Sequence, residues 1–298
     1  KYDLKLDFTS RKAFPVITSR GCPFNCAFCA AGLIWGGRQV RRSVQKVMDE
    51  LEFLRNKYDI RAFKFFDSTL TANRKYVEDL CGEIRKRNLD IVWECESRVD
   101  VIDVPLLKTL KSAGCRMIDM GLESASQRVI NTINKQITPK QAERALYKVR
   151  KAGLYSKMFF IYGLPGESLK EAKATYKFIK RNRKYISRVS AGVCTIYPGT
   201  GVEDYAKKQN LLNDFSWSQN FYKYSYLRDF EANPHVPKLI QPQLNHETLK
   251  RLFQESYKEN FSLKLLRRKF KDIGTSKGLI YSIKSLKESI LFKLRCLQ

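Results

Sequence analysis

The stretch Cys22-Pro23-Phe24-Asn25-Cys26-Ala27-Phe28-Cys29 places three cysteines at spacings of four and three residues. It follows an apolar segment at residues 14–18, which predicts a loop at the end of a buried strand. Thiolates at such short spacing reach one iron–sulfur cluster from a single loop. A four-iron cube needs four ligands and this loop supplies three. We therefore expect a [4Fe-4S] cluster with one iron open, much as catalytic zinc sites keep one position free.

Two other chemistries use closely spaced cysteines. A zinc site needs a second pair of ligands, and no further CxxC or HxxxH follows in the sequence. Disulfides are typical of small secreted domains, but this chain shows no secretion signal and is long enough to fold without cross-links. The cluster is the favoured interpretation, and a non-catalytic metal-binding module is an alternative.

Composition limits the class of protein. The chain has 298 residues, 43% of them apolar, enough for one large α/β domain with an appendage. The sequence contains no run of about 20 apolar residues, which is the length that a membrane-spanning helix needs. Eight cysteines without a secretion signal favour a reducing, cytoplasmic location. A net charge of +26 predicts an acidic partner or surface.

Strand and helix patterns alternate along the chain up to about residue 200. The expected strands are residues 14–18, 60–66, 91–98, 115–122, 157–162 and 189–197. Strands alternating with helices predict a parallel sheet with right-handed crossovers. Six such units are two fewer than a complete barrel needs. We predict an α/β fold, a partial (β/α)6 TIM-like barrel, with its chemistry at the carboxyl ends of the strands.

The rest of the chain predicts two flanking regions. Residues 1–13 read as a linker, residues 14–200 as the barrel, and residues 201–298 as a mostly helical extension, with a helix at 249–257 and an aromatic stretch at 221–230. Residues 261–298 hold ten Lys or Arg and two acids, a charge of +8, around a stripe of Leu and Ile. Such a basic amphipathic helix suits an anionic membrane surface or nucleic-acid phosphates. The broad stripe favours the membrane, and packing on the barrel is the third interpretation.

Strand alternation places several charged side chains on the inner face of the predicted barrel. Glu94, Glu96 and Arg98 share one face of the third strand, and Asp119 and Glu123 share one face of the fourth. The Arg98 fork suits a carboxylate ligand. An internal Glu96–Arg98 ion pair is the alternative.

Taken together, the cysteine loop and the strand-end turns resemble the radical S-adenosylmethionine (SAM) superfamily. The segments at residues 17–24, 98–100 and 163–167 look most like members that carry a cobalamin-binding domain. The resemblance implies that Cys22, Cys26 and Cys29 hold the cluster and that its open iron binds SAM. An electron from the cluster then cleaves SAM to methionine and a 5′-deoxyadenosyl radical.

The resemblance also implies a set of SAM contacts: Phe28, Asp67, Ser68, Arg98, Glu123, Ser124, Ile161, Gly163 and Tyr197. Two departures from the family pattern stand out. Asp67-Ser68-Thr69 replaces the usual Gly-Gly-Glu and looks more like the Asp-Asp-x-Phe turn of the cobalamin group, and Phe159 stands where glycine is usual. The alternatives are a helix-capping turn at Asp67, ordinary packing at Phe28 and a solvated acid at Glu123.

The resemblance implies a reaction class. Members of the cobalamin group methylate or rearrange unactivated carbons in lipids, tetrapyrroles and antibiotics. The Asp-x-His-x-x-Gly cobalamin motif is not in the sequence, so we expect a cobalamin domain before Lys1 or a protein that works without one.

We expect the protein to abstract hydrogen from a carbon of a small or lipid-like substrate, with methylation as the outcome. An external electron donor would reduce the cluster, in the cytoplasm or at the inner membrane surface. A tRNA-modifying, methylthiotransferase-like enzyme is the alternative, although no second set of cluster cysteines supports it and nucleic acid is the less favoured partner.

Overall fold

A computed structural model describes residues 4, 6–9, 11–212 and 238–260. Six parallel strands form one curled sheet in the order β1-β4-β5-β6-β7-β8, and β2 pairs antiparallel with β3. Their bounds are β1 Ala13–Val16, β2 Ser19–Arg20, β3 Val40–Arg41, β4 Ala62–Phe65, β5 Val92–Ser97, β6 Cys115–Glu123, β7 Tyr155–Tyr162 and β8 Arg188–Val193. β1 and β8 lie at opposite ends of the strand order. The predicted partial barrel is confirmed.

Helices connect the strands and cover the outer face of the sheet. Their bounds are α1 Ala31–Trp35, α2 Val44–Tyr58, α3 Arg74–Lys86, α4 Val104–Ser112, α5 Gln127–Thr132, α6 Pro139–Lys151, α7 Leu169–Asn182, α8 Gly201–Lys208 and α9 His246–Lys258. Polar side chains cap the start of most of these helices, although α1 follows Ala30 and has no side-chain cap. Thr138 and Ser168 each form a capping box with the residue three positions on. These caps fix where the helices begin, after the turns that follow the strands.

The two faces of the sheet differ in chemistry. Phe63, Phe65 and Trp93 are fully buried with the helices on the outer face, and the Phe65 and Trp93 rings stack 4.9 Å apart. The neighbouring positions on the inner face carry charged side chains, among them Lys64 and Glu94. Residues alternate between the faces of a strand, so one sequence pattern builds both an apolar outer core and a polar lumen.

Helix α9 covers the β8 edge of the sheet. Leu249, Leu252 and Phe253 pack into an apolar cluster with Tyr162, whose hydroxyl lies 2.7 Å from Ser256 Oγ. Just beyond the helix, the Asn260 side chain accepts a hydrogen bond from Val189 N–H at 2.7 Å and donates one to Val189 O at 2.9 Å. The extension is therefore joined to the barrel in the region of residues 238–260.

Some predictions need correction or lie outside the described residues. The β2–β3 pairing was not predicted, because strands of two residues show no periodicity. Within the predicted linker, Leu6 is buried against Ala13 and Ala62. The predicted aromatic stretch at 221–230 and the basic helix at 261–298 fall outside the described residues, and the domain boundaries stay predictions. Among the helices that the structure describes, none is long and apolar enough to cross a bilayer.

Candidate active site

Asp67 fixes the chain immediately before the cysteine loop. Its carboxylate accepts hydrogen bonds from the Thr18 and Ser19 hydroxyls at 2.8 and 2.5 Å and from both of their backbone N–H groups. Burial raises the pKa of Asp67, and these hydrogen bonds oppose the increase. Both carboxylate oxygens are therefore occupied within the chain. Ser68, the next residue, is exposed, and SAM contacts for the pair stay a prediction.

The three cysteines of the loop are free thiols at the mouth of the barrel. Cys22 and Cys26 are half-buried and Cys29 is exposed. Cys22 Sγ lies 3.5 Å from Thr69 Oγ1, and Arg98 Nη1 donates to Cys26 Sγ at 3.7 Å. Burial raises the pKa of Cys26, while the nearby Lys135 and Arg98 cations lower it. Burial outweighs the two cations, so the pKa of Cys26 lies above its usual value.

The donor set, three thiols on one short loop, has the chemistry of an iron–sulfur ligand set. In the described part of the chain, no three His, Cys, Asp or Glu side chains converge as a single metal ion requires. A four-iron cluster binds each thiolate to a different iron, so it tolerates sulfurs that are further apart. Free, partly open thiols beside two cations are suitable ligands for an anionic cluster.

Arg98 connects the cysteine loop to strand β5. Its guanidinium lies 3.9 Å from the Phe24 ring centroid and donates to both Asp100 oxygens at 3.0 Å. It also donates to Lys135 O at 2.7 Å. The alternative Glu96–Arg98 pair is not formed. The role of Arg98 as a partner of the SAM carboxylate stays a prediction.

Glu123 lies at the end of β6 in a strained backbone conformation. Its φ is +68°, and the β6–β7 register shifts between Gly121 and Glu123. Its Oε1 accepts from Lys135 Nζ at 2.5 Å, and both side chains are buried. The Lys135 ammonium also lies 5.5 Å from the Phe28 ring centroid. Sequence analysis missed Lys135, although its position between the buried Ile133 and Ile137 was a signal of burial.

The neighbouring turns of β6 and β7 are joined through Glu167. It accepts hydrogen bonds from Gly163 N–H at 2.7 Å and from Ser124 Oγ at 3.3 Å. Burial raises the pKa of Glu167 to about 8. Gly163 has a φ of +77°, and a β-carbon there would lie 3.1 Å from Leu239 O. Ser124 and Gly163 thus shape the turns, and any contact with SAM stays a prediction.

Apolar side chains border the cysteine loop on its other side. Phe28 and Ile161 pack against one apolar cluster, which also contains the buried Leu164 and Ile196. Ala27 N–H donates to Ile133 O at 2.9 Å, which fixes the loop against that cluster. Tyr197 is half-buried at the start of the following turn. The predicted contacts Phe28 and Ile161 therefore border the same apolar cluster, and their contact with SAM stays a prediction.

Deeper in the lumen, strands β4 to β7 share a charged network. Lys64 Nζ lies 2.9 Å from Asp119 Oδ2, 3.1 Å from Glu94 Oε1 and 3.8 Å from Glu96 Oε1. Lys157 Nζ lies 3.1 Å from the same Asp119 oxygen. Burial and the Asp119 charge raise the pKa of Glu94 to about 7. Sequence alternation predicted the acids, but not the lysines that pair with them.

Comparison with known proteins identifies the family. Residues 16–179, more than half of the chain, match the family model of the radical SAM superfamily. The chain belongs to the radical SAM superfamily. This membership confirms the expected enzyme and, at the level of the family, its [4Fe-4S] cluster and SAM. It does not support the non-catalytic metal-binding module.

Relatives of this radical SAM chain include methyltransferases and a cyclase. It is 40% identical over 202 residues, 68% of this chain and 44% of the relative, to the uncharacterized methyltransferase PH0819 of Pyrococcus horikoshii. It is 34% identical over 164 residues to the anaerobic magnesium-protoporphyrin IX monomethyl ester cyclase of Rubrivivax gelatinosus, covering 54% of this chain and 29% of the relative. The chain spans less than half the length of these curated relatives.

Solved structures share the fold. The radical SAM methyltransferase TsrM from Kitasatospora setae, with cobalamin and a [4Fe-4S] cluster bound, aligns with a TM-score of 0.61 at 19% identity. The alignment covers 67% of this chain and 37% of TsrM. The coproporphyrinogen III oxidase HemN from Escherichia coli aligns with a TM-score of 0.54 over 85% of this chain and 54% of HemN, at 17% identity. These likenesses show the fold alone.

Proposed function

We propose that this chain is the catalytic barrel of a radical SAM methyltransferase that acts on an unactivated carbon of a lipid-like molecule. The observation that carries the proposal is the group of three free thiols at the mouth of the lumen, with Arg98 and Lys135 beside Cys26. Methyltransferases among the relatives support the outcome. The cluster and SAM, when bound, supply one-electron cleavage of SAM and hydrogen abstraction from carbon.

The residues of this chain would hold the cluster, position its loop, place charges beside it and exclude water. Cys22, Cys26 and Cys29 hold the cluster, and Asp67 fixes the backbone that enters their loop. Arg98 and the Glu123–Lys135 pair place charges at the level of the thiols. The apolar cluster near Phe28 and Ile161 excludes water, which keeps reactive species next to the substrate.

We propose further that an external donor supplies the electron and that cobalamin reaches the mouth from a part of the protein outside these residues. TsrM and OxsB, two structural neighbours, bind cobalamin. The basic pattern of residues 261–298 supports a lipid-like substrate and a location on an anionic membrane in the cytoplasm. The same basic pattern would suit the phosphates of a tRNA substrate, but the broad stripe of Leu and Ile favours the membrane.

The test is cleavage of SAM by the anaerobically reconstituted chain. With dithionite as the reductant, we expect release of 5′-deoxyadenosine, measured by chromatography. Replacing Cys22, Cys26 or Cys29 with Ala abolishes release and lowers bound iron and sulfide. The matched control is Cys81→Ala, a buried thiol of α3 that should keep both. Normal cleavage by the loop variants would contradict the proposal.

A further inference from the structure

The surface beside the cysteine loop exposes apolar side chains in an unusual concentration. Leu33, Ile34 and Trp35 are consecutive and exposed at 55%, 70% and 40%, and Val40 is exposed at 63%. A run of three exposed apolar residues is a defect in a soluble surface unless it has a function. An added β-carbon at Gly36 or Gly37 would meet nothing within 4 Å, so this tip projects into open space.

Arginines surround the tip. The β2–β3 pairing places Arg20 opposite Val40, and Arg38 and Arg41 are also exposed. None of the three arginines forms an ion pair with any described residue. Arg42, in contrast, is used internally, donating to Ile17 O and Glu50. We call Leu33, Ile34, Trp35, Val40, Arg20, Arg38 and Arg41 the rim patch.

The charge around the rim patch is of one sign. Residues 8–48 contain seven Lys or Arg and no Asp or Glu. The patch also belongs to the mouth of the barrel, because Leu33 Cδ1 lies 3.2 Å from where a β-carbon on Gly199 would be. Gly199 follows Tyr197 in the turn after the last strand. Whatever the patch contacts therefore lies next to the entrance of the site.

We infer that the rim patch inserts into an anionic lipid bilayer and holds the α1–β3 side of the barrel mouth at the membrane surface, which leaves the rest of the mouth open to the cobalamin of the proposed function. Exposed Leu, Ile and Trp gain by leaving water at the acyl boundary, and Trp favours the headgroup level. Arginine is attracted to anionic headgroups. A single-stranded nucleic acid would offer little to the two aliphatic side chains, because its binding sites use aromatic stacking and phosphate contacts. The inference does not depend on methyl transfer.

The test is co-sedimentation of the full chain with vesicles, without cluster or SAM. We expect binding to vesicles that are one-third phosphatidylglycerol and little binding to pure phosphatidylcholine. Combining Leu33→Ser, Ile34→Ser and Trp35→Ser lowers the affinity at least tenfold. The control combines Phe53→Ser and Tyr147→Ser, two exposed apolar residues on α2 and α6, and leaves binding unchanged.

A matched pair of charge reversals separates the patch from the overall charge. Arg38→Glu with Arg41→Glu should lower vesicle binding by at least tenfold, since each arginine near the surface accounts for about fivefold. Lys173→Glu with Lys177→Glu on α7 changes the net charge equally and should lower it less than twofold. Equal losses in the two variants, or no vesicle binding by the unmodified chain, overturn the inference.

One further outcome would reassign the patch. If the unmodified chain is dimeric by sedimentation without vesicles and the Leu33, Ile34 and Trp35 variant is monomeric, the patch binds a second copy and the inference fails. Failure here leaves the proposed function intact, because SAM cleavage is measured separately. Loss of SAM cleavage with normal vesicle binding would contradict the proposed function and leave the membrane inference intact.

Discussion

Arg98 shows how one side chain can serve the mouth of the barrel in several ways. Its guanidinium stacks on Phe24, binds both oxygens of Asp100 and reaches Lys135 O and Cys26 Sγ. These simultaneous contacts need a planar guanidinium with five donors, and a lysine ammonium cannot make all of them. The residue therefore orients the loop that carries the thiols.

We expect Arg98→Lys to lower 5′-deoxyadenosine formation about 10–100-fold, which is typical for partners that orient metal ligands. Bound iron per chain should fall as well, because the loop is less well held. Arg74→Lys on the surface of α3 is the control and should keep full activity. An Arg98→Lys rate within twofold of the unmodified chain would show that the fork is dispensable.

Glu167 predicts a dependence of stability on pH. Burial raises its pKa from the usual 4.5 to about 8, so the folded chain holds the proton more tightly than the unfolded chain does. This stabilisation is complete below pH 4.5 and is lost as the pH rises through 8. Between pH 5.5 and 8, the unfolding free energy should fall by roughly 1 kcal/mol per pH unit relative to Glu167→Gln.

The measurement is urea unfolding of both proteins at several pH values. The control is Glu171→Gln, because Arg128 holds the pKa of Glu171 well below 4.5 and its contribution is constant in this window. A constant difference between the unmodified chain and Glu167→Gln across the window would mean that Glu167 is ionised when folded.

At the scale of elements, the β2–β3 pair frames the cysteine loop. Gly21 leads into the loop with a φ of +84°, and a β-carbon there would lie 2.0 Å from Arg38 O. The backbone at Arg38, just before β3, therefore approaches the loop entrance as closely as glycine allows. Asp67 fixes the other side of the same entrance through Thr18 and Ser19.

We expect Gly21→Ala to separate β2 from β3 and to cost about 1–3 kcal/mol of unfolding free energy. Iron retention after reconstitution should fall with it. The matched control is Gly82→Ala in α3, where nothing lies within 4 Å of the new β-carbon. That change should stabilise by about 0.5–1 kcal/mol. Normal iron retention by Gly21→Ala would mean that the β2–β3 pair does not position the loop.

At the scale of the whole molecule, the charged lumen joins strands that are far apart in sequence. Lys64 contacts acids of β5 and β6, and Lys157 of β7 contacts the same Asp119. Burial alone would lower the pKa of the Lys64 ammonium, but Asp119 and Glu94 raise it above its usual value. The network stabilises the folded barrel only while the cations and carboxylates remain together.

Lys64→Met should destabilise the fold by about 3–5 kcal/mol, because it leaves buried carboxylates without their cation. Combining it with Glu94→Gln should recover part of the loss. Thermal or urea unfolding measures both, with the exposed Lys75→Met as the control. A loss below about 1 kcal/mol would show that the lumen is well hydrated.

Local patterns explain what the sequence predicted. The turns at Glu123-Ser124 and Gly163–Glu167 follow strands with clear alternation, so their common edge could be foreseen. The contacts between side chains of different strands could not be predicted in this way. Asp67 meets Thr18 across 49 residues, and Lys64 meets Asp119 across 55. Such contacts depend on which strands become neighbours, and local periodicity carries no information on the partner.

The amide of Asn260 has a consequence for solubility during folding and storage. By occupying both polar groups of Val189, it stands where the backbone of an additional strand would otherwise add. A second chain cannot form backbone hydrogen bonds with Val189, which opposes edge-to-edge polymerisation. A single amide at this position therefore opposes the addition of another strand beside β8.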